Sequence, residues 1–279
     1  MKNVCVIGHP ISHSLSPVIH NYWIERHSLD ARYTKQNVKP ENLADFIEDI
    51  RAGRVHGANV TIPHKEHVLG LIDHIGDAGR SIGAVNTLWR SDDGRVFGDN
   101  SDRSGFFEHL SATHPDWRER TATALVLGAG GAARAILSGL ADANVSKIAV
   151  ANRTLDRAER LAKDLCPSAE VFDYASTQDR ISEFDLIINS SALGMTGQPA
   201  LPLRLQPRDE GVIVCDIVFS PLETELLAQA RQHGFKTVDG LGMLLHQAKL
   251  GFSKWFSVLP TVDDALRSHV LNHLQQRQS

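Results

Sequence analysis

The glycines of the segment ALVLGAGGAARA, residues 124–135, have a spacing that suits the binding of a phosphate group. An apolar run precedes the turn and an alanine-rich helical pattern follows it, which predicts a strand, a tight turn and a helix. Glycine at such a turn lets backbone N–H groups approach a pyrophosphate at the helix N-terminus. The alternative is a glycine turn that only packs a helix against a strand. The predicted cofactor-binding residues of this turn are Gly128, Ala129, Gly130, Gly131 and Ala132.

The loop after the next predicted strand indicates which dinucleotide binds. Folds that bind NAD usually carry an acidic residue here, which hydrogen-bonds the ribose 2′-hydroxyl. This loop reads Asn152-Arg153-Thr154 instead, with Arg157 one helical turn further on. Guanidinium groups bind a 2′-phosphate in a bidentate manner, whereas a carboxylate would repel it. The pattern therefore predicts NADP(H) as the cofactor, unless both arginines are only solvated surface charges.

Two serines follow the first predicted strand, at the end where open α/β sheets bind ligands. The hydroxyls of Ser14 and Ser16 suit a polyhydroxy acid or its carboxylate. The alternative is that Ser16 is the N-cap of the next helix, with Pro17 at its first position. Capping and ligand binding are compatible, and the pattern leaves both open.

Further polar groups end the next predicted strands: Asn59 and Lys65 in NVTIPHKE, Asn86 in GAVNT, and Asp102 in GDNSD. We expect these four residues to converge at one edge of a sheet. Lys65 is predicted at a helix N-terminus, where the helix dipole disfavours a cation. This unfavourable position indicates a functional lysine rather than a surface lysine.

The elements that must position these groups predict an α/β fold with mainly parallel strands, because short β-branched runs alternate with helical patterns. Apolar periodicity predicts helices at Pro40–Arg51 and Thr224–His233. Besides the two strands around the glycine turn, the predicted strands are Val4–Gly8, Ala31–Val38, Gly57–Ile62, Val85–Trp89, Val96–Gly98, Val171–Tyr174, Leu186–Asn189 and Val212–Val218.

The position of the glycine turn predicts two α/β domains. Residues 1–102 form a substrate-binding catalytic domain, which helices of residues 245–279 complete. Residues 103–244 form a Rossmann-type NADP-binding domain. We expect a cleft between them with the cofactor on one wall, because ligand pockets favour such interfaces.

Composition excludes several kinds of partner. The net charge of −4 and the lack of a long basic stripe predict no nucleic-acid partner. No signal peptide and no apolar segment of membrane-spanning length are present in the sequence. Cys5, Cys166 and Cys215 are far apart in apolar runs and are predicted to be reduced. No histidine or cysteine pair has zinc-site spacing, so no metal is predicted. These features predict a cytoplasmic protein.

Nine segments make the chain similar to the shikimate dehydrogenase family over nearly its full length: GHPISHSLSP, GANVTIPHKE, IGAVNTLW, GDNSDRSG, GAGGAAR, NRTLDR, INSSALGM, DIVFSPLETELL and DGLGMLLHQA. This family reduces 3-dehydroshikimate to shikimate with NADPH, in the chorismate pathway to the aromatic amino acids. The resemblance implies that Lys65 and Asp102 are the catalytic pair. The substrate-binding residues it implies are Ser14, Ser16, Asn59, Thr61, Asn86, Phe219 and Gln247. The cofactor-binding residues it implies are those of the glycine turn, Asn152, Arg153, Thr154, Arg157, Ile217, Gly240 and Met243.

Three positions depart from the family pattern. Ser101 stands where the family usually has threonine, and Asn189-Ser190-Ser191-Ala192 stands for Asn-Ala-Thr-Ser or Asn-Thr-Thr-Ser. Phe219 replaces a tyrosine whose hydroxyl faces the substrate in the family. Its loss removes one hydrogen bond of about 0.5–1.5 kcal/mol, which lowers affinity by up to roughly tenfold. The alternative substrates are therefore quinate and an aminoshikimate-like compound.

The implied reaction fits the charges of the implied catalytic pair. An unperturbed lysine has a pKa of about 10.4 and is an ammonium at neutral pH, which makes it a ready acid. We expect Lys65 to protonate the developing alkoxide as hydride arrives, with Asp102 ionised beside it. A non-catalytic NADP(H)-binding sensor, the alternative from another class, would need neither residue. The expected partner is a small polyhydroxy cyclohexene carboxylate, and the expected assembly is a monomer or a homodimer.

Overall fold

The computed structural model describes residues 1–208 and 211–276. These residues form two α/β units. The first unit contains residues 1–101 and the described part of residues 244–279, and the second contains residues 102–243 apart from the two that are not described. Each unit is built around one six-stranded sheet.

The strands of the described residues are β1 Lys2–Gly8, β2 Ala31–Asn37, β3 Gly57–Val60, β4 His74–Ile75, β5 Thr87–Arg90, β6 Val96–Asp99, β7 Thr123–Leu127, β8 Lys147–Ala151, β9 Glu170–Phe172, β10 Leu186–Asn189, β11 Ile213–Asp216 and β12 Lys236–Val238. The α-helices are α1 Ser16–Arg26, α2 Leu43–Arg51, α3 Asp77–Ile82, α4 Asp102–Thr113, α5 Trp117–Arg120, α6 Gly131–Asp142, α7 Leu155–Leu165, α8 Tyr174–Arg180, α9 Glu225–Gln232, α10 Gly240–Phe256 and α11 Asp264–Gln276. Short 3₁₀ helices lie at Pro40–Asn42, His67–Gly70 and Ile181–Glu183.

The sheet of the first unit has the order β2-β1-β3-β5-β6-β4 and mixes strand directions. Strand β1 runs parallel to β2 and β3, whereas β5 runs antiparallel to β3 and β6. Thr87, the first residue of β5, pairs with Asn59 on one side and with Asp99 on the other. The ends of β1, β3 and β6 and the start of β5 therefore share one sheet edge, and the loops that follow or precede them meet there.

The sheet of the second unit is parallel throughout, in the order β12-β11-β10-β7-β8-β9. This is the doubly wound order of dinucleotide-binding folds, in which the strand order reverses between β7 and β10. The four C-terminal residues of β7 and all of β10 are buried, as expected for central strands covered on both faces. Ligands in such sheets bind at the carboxyl ends of the strands beside the reversal point.

The predicted α/β class with two units and parallel-rich sheets is confirmed. The apolar face predicted for α2 is also confirmed, since Leu43, Phe46, Ile47 and Ile50 are its buried residues. Several predicted bounds are wrong. The Pro40–Asn42 segment is a 3₁₀ turn rather than the start of α2, and Tyr174 begins a helix rather than ending a strand. Strands β3 and β11 are shorter than predicted because their last apolar residues lie in the following loops.

None of the described helices combines the length and the apolar character that crossing a membrane requires.

Candidate active site

Asn86 is the centre of a buried hydrogen-bond network at the shared edge of the first sheet. Its Nδ2 donates to Ser101 Oγ at 3.0 Å and to Gln247 Oε1 at 3.4 Å. Its Oδ1 accepts from the backbone N–H of Ser101 at 2.9 Å and from Thr87 Oγ1 at 3.0 Å. All four residues are buried. These bonds fix the side-chain amide of Asn86 in one orientation, because each of its polar atoms has a partner.

Asn59 extends this network to the neighbouring strand. Its Nδ2 donates to the carbonyl of Asn86 and to Thr87 Oγ1, both at 3.3 Å. Its Oδ1 accepts a short hydrogen bond of 2.6 Å from the hydroxyl of Tyr33. The structure thus brings Asn59 and Asn86 together, with Thr87 and Tyr33 as connecting residues that the sequence did not single out.

Ser14 and Ser16 contact each other at the start of α1. Ser14 Oγ donates to Ser16 Oγ at 3.2 Å and accepts from the backbone N–H of Ser16 at 3.3 Å. Ser16 is the first residue of the helix, and the N-cap position belongs to Leu15, whose side chain makes no capping bond. The alternative of Ser16 as an N-cap is therefore wrong, because Ser14 takes the N–H that opens the helix.

Thr61 and Lys65 lie on the loop after β3. The backbone N–H of Thr61 donates to the carbonyl of Ile7 at 2.9 Å. The backbone N–H of Val85 donates to the carbonyl of Lys65 at 2.7 Å. Both side chains are partly exposed. The bond to Val85 holds the Lys65 backbone beside the residue that precedes Asn86.

The predicted helix N-terminus at Lys65 is wrong. Lys65 lies in a turn, and only the four-residue 3₁₀ helix His67–Gly70 follows it. Val68 is the one buried residue of that helix, so no apolar stripe supports a longer one. The helix dipole therefore gives no reason to assign a function to Lys65. The better reason to consider Lys65 as a functional residue is its position on a loop that is bonded to Val85, next to the Asn86 network.

The first unit thus groups five predicted substrate residues around one sheet edge and holds two more predicted residues on an adjoining loop. Those seven are Ser14, Ser16, Asn59, Asn86 and Gln247, with Thr61 and Lys65 on the loop. Asp102 directly follows Ser101 in the chain, is buried, and begins α4 in the second unit. Phe219, half-buried, also belongs to the second unit.

The glycine turn connects β7 to α6, and its glycines lie in different surroundings. Gly128 has φ +111°, a conformation that disfavours a side chain, and a Cβ there would lie 3.0 Å from Ser190 Oγ. Gly130 has no such constraint, and a Cβ there would meet no described atom within 4 Å. Helix α6 begins at Gly131, so open space lies beside the residue that precedes the helix. The first N–H groups of a helix lack intrahelical partners, and such a helix start suits the phosphate of a dinucleotide.

The arginine loop follows β8 and leads into α7. Asn152 is partly exposed, and its Nδ2 donates to the carbonyl of Thr154 at 2.9 Å, which closes the loop. Thr154 is the N-cap residue of α7, and Arg157 lies in the first turn of that helix. The side chains of Arg153 and Arg157 are both exposed. Two accessible guanidinium groups beside a loop without a carboxylate at its first residue fit a 2′-phosphate.

The other predicted cofactor residues lie where β11 ends and α10 begins. A Cβ at Gly240 would overlap the carbonyl of Ile217, so only glycine allows α10 to start against this segment. Met243 is buried in a core cluster, and Ile217 packs against the same cluster. The structure therefore brings these three residues together.

Asp216 fixes the segment that carries Ile217 and Phe219, and the sequence did not single it out. Its Oδ1 accepts from the N–H of Val218 at 2.9 Å and from Asn189 Nδ2 at 3.0 Å. Its Oδ2 accepts from Thr224 Oγ1 at 2.7 Å. Burial raises the pKa of Asp216 to about 6, although these hydrogen bonds act in the opposite direction. A lone acid in the apolar run IVCDIVF is the sequence signal that could have found it.

Among the described residues, no group of three or more histidine, cysteine, aspartate or glutamate side chains could hold a metal ion.

A glycine turn suited to phosphate lies at the reversal point of a parallel sheet, and accessible arginines follow the second strand. A separate α/β unit contains a buried network of hydroxyls and amides. Together these features define a dinucleotide-dependent dehydrogenase. Comparison with known proteins agrees with this class. The shikimate dehydrogenase substrate binding domain matches residues 6–88, and shikimate / quinate 5-dehydrogenase matches residues 112–226. The chain belongs to the shikimate dehydrogenase family.

Individual relatives match nearly the whole chain. A shikimate dehydrogenase (NADP(+)) of Rhodospirillum rubrum is 46% identical over 95% of each chain. The crystal structure of shikimate 5-dehydrogenase from Thermus thermophilus, in complex with NADP(H) and shikimate, has a TM-score of 0.83 at 33% identity and covers 99% of each chain. A quinate dehydrogenase from Corynebacterium glutamicum in complex with NAD has a TM-score of 0.86 at 27% identity, over 97% of this chain and 99% of that one.

These findings confirm the predicted family, the enzyme class of NADP-dependent shikimate dehydrogenases (EC 1.1.1.25) and NADP as the cofactor.

Proposed function

We propose that this chain reduces 3-dehydroshikimate to shikimate with NADPH, on the route to chorismate and the aromatic amino acids, in the cytoplasm. The observation that carries the proposal is the buried network around Asn86 and Asn59. Its members are amides and hydroxyls, which bind the hydroxyl groups of a polyhydroxy ring without imposing a charge. The loop that carries Lys65 is tied to the same network through Val85.

The chemistry assigned to the chain is proton delivery and positioning. When bound, NADPH supplies the hydride that reduces the ring ketone. The Lys65 ammonium donates a proton to the ketone oxygen as it gains negative charge, and the resulting neutral amine is protonated again from water. The Asp102 carboxylate accepts a hydrogen bond from a ring hydroxyl. Ser14, Ser16, Thr61 and Gln247 orient the parts of the ring that do not react.

The second unit would hold the cofactor through its backbone and its exposed cations. The N–H groups after Gly130 would bind the pyrophosphate, and Arg153 and Arg157 would bind the 2′-phosphate. Ile217, Gly240 and Met243 would border the nicotinamide. The open space beside Gly130 and the accessibility of both guanidinium groups support this assignment.

A steady-state assay at 340 nm tests the proposal. Shikimate and quinate are each combined with NADP⁺ and NAD⁺ at alkaline pH, which favours the oxidation because that direction releases a proton. We expect turnover with shikimate and NADP⁺. The Asp102→Asn variant should lower kcat/KM while leaving NADP⁺ binding intact. Tight NADPH binding without turnover of either acid would contradict the proposal and favour a sensor.

Quinate is the second candidate substrate, because Phe219 lacks the hydroxyl that the family usually presents and a quinate dehydrogenase shares the fold. In the same assay, a higher kcat/KM for quinate than for shikimate would select this alternative.

A further inference from the structure

Tyr33 lies directly beneath the network, and its ring is held rigidly. It stands in β2, and only 2% of the residue is exposed. Its ring stacks on the imidazole of His20 with centroids 4.2 Å apart and planes 9° apart, and Trp255 lies 5.8 Å away. Burial lowers the pKa of His20 to about 3, so the stacked imidazole is neutral. The aromatic packing leaves the hydroxyl as the one polar end of Tyr33, aimed at the network.

The hydroxyl of Tyr33 bonds directly to a predicted substrate residue. It donates to Asn59 Oδ1 at 2.6 Å, and both residues are buried. The Nδ2 of Asn59 donates to the carbonyl of Asn86 and to Thr87 Oγ1. A side-chain amide whose oxygen accepts from a phenol and whose nitrogen donates to buried oxygens has one favourable orientation.

We propose that Tyr33 is a positioning residue for the substrate: its hydroxyl fixes the amide orientation of Asn59. This inference rests on the proposed function, since the network of Asn59 and Asn86 is assigned there to the substrate. Tyr33 itself is too deeply buried to contact a ligand.

Removing the hydroxyl alone tests this role. In Tyr33→Phe, Asn59 Oδ1 loses its donor, so the side-chain amide of Asn59 gains a second orientation. An unsatisfied buried group of this kind corresponds to roughly a 5- to 140-fold loss in an equilibrium constant. We expect KM for shikimate to rise by that factor, while KM for NADP⁺ and kcat stay within about twofold to threefold.

Tyr22→Phe is the matched control. Tyr22 lies in the same unit, and its hydroxyl accepts an exposed hydrogen bond from Arg26 at 3.2 Å. This variant loses the same atom outside the network, and KM for shikimate should not change. An equal rise of both KM values in Tyr33→Phe, or no rise in KM for shikimate, would overturn the proposal.

A measurement on the unaltered protein covers the case in which Tyr33→Phe does not fold. The chain has three tyrosines, so ¹³Cζ-tyrosine labelling gives three resonances, which Tyr22→Phe and Tyr174→Phe assign. Burial raises the pKa of Tyr33 well above its usual value, so its resonance should stay that of the phenol at alkaline pH. Shikimate should shift this resonance, and NADP⁺ alone should not. An unshifted resonance in a protein that turns over shikimate would refute the role of Tyr33 alone, whereas failure of turnover would refute the proposed function.

Discussion

The edge of the first sheet and the glycine turn of the second unit both lie at strand ends, yet their candidate residues differ in burial and in bonding. Asn59, Asn86 and Gln247 are buried and bonded to one another or to neighbouring hydroxyls and carbonyls. Arg153 and Arg157 are exposed, and the candidate phosphate site of the turn consists of backbone N–H groups. The edge of the first sheet is organised before a ligand arrives, whereas the second unit offers accessible charge and backbone donors.

This difference fits the ligand proposed for each region. The ring hydroxyls of a cyclohexene carboxylate are distinguished from those of its analogues by placed donors and acceptors, and a buried polar group left without its partner costs about 1–3 kcal/mol. A phosphate carries charge that exposed guanidinium groups attract from a range of side-chain positions. We therefore expect substitutions at the edge of the first sheet to change substrate selectivity. Substitutions in the glycine turn or the arginine loop should change cofactor affinity.

Substitution of Lys65 should give the largest effect on activity, and it tests whether the first unit also supplies the proton-transfer group. Lys65→Ala should lower kcat by about 10²- to 10⁴-fold, the range for one proton-transfer group. Lys65 is assigned to the proton-transfer step rather than to holding the ring, so the Kd for shikimate should change far less than kcat. Isothermal titration and the 340 nm assay measure the two quantities separately. An unchanged kcat would remove Lys65 from the mechanism.

Substitutions in the arginine loop should have the opposite effect, because they should lower the affinity for NADP⁺ alone. Each charge-assisted hydrogen bond to a phosphate contributes about 1.5–3 kcal/mol, so Arg153→Ala with Arg157→Ala should raise the Kd for NADP⁺ by roughly 10²- to 10⁴-fold. The Kd for NAD⁺ and the melting temperature should stay constant, because both side chains are exposed. Arg160→Ala, an exposed arginine further along α7, is the control. Equal losses for NADP⁺ and NAD⁺ would show that the arginines do not read the 2′-phosphate.

How far the sequence predicts each region depends on whether the signal is local. The glycine turn and the Asn152-Arg153-Thr154 loop are short motifs whose backbone positions follow from the adjacent strands, and the structure places them accordingly. The N-cap alternative for Ser16 and the helix N-terminus predicted at Lys65 are wrong, because a competing N–H acceptor and the lack of an apolar stripe decide these two positions. Tyr33 and Thr87 gave no signal, since a tyrosine or threonine in a strand pattern resembles an ordinary core residue. Their contacts join strands distant in sequence, which only the fold defines.

Substitution of Asp216 should give the smallest effect, a change in the free energy of unfolding. Asp216 is an exception to the comparison, because it is a buried polar residue in the unit whose other candidate groups are accessible. Its pKa is raised to about 6 by burial, above the value of about 3.8 that an unfolded chain gives it. Ionisation therefore opposes folding, and stability is lost as pH rises from about 4 through 6. The isosteric Asp216→Asn variant keeps an acceptor for Val218 and removes this titration. Between pH 5 and pH 8, the free energy of unfolding of the unaltered protein should fall by about 1–2 kcal/mol relative to this variant.

Urea unfolding of both proteins at each pH measures that difference. Asp179→Asn, which changes an exposed carboxylate in the same unit, should give no such pH-dependent difference. If Asp216→Asn instead gains stability relative to the unaltered protein as pH falls, the hydrogen bonds from Val218, Asn189 and Thr224 outweigh burial. The carboxylate would then be a stabilising anion at neutral pH. In that case the segment of Ile217 and Phe219 would be held by a buried charge, unlike the edge of the first sheet, which neutral amides and hydroxyls hold together.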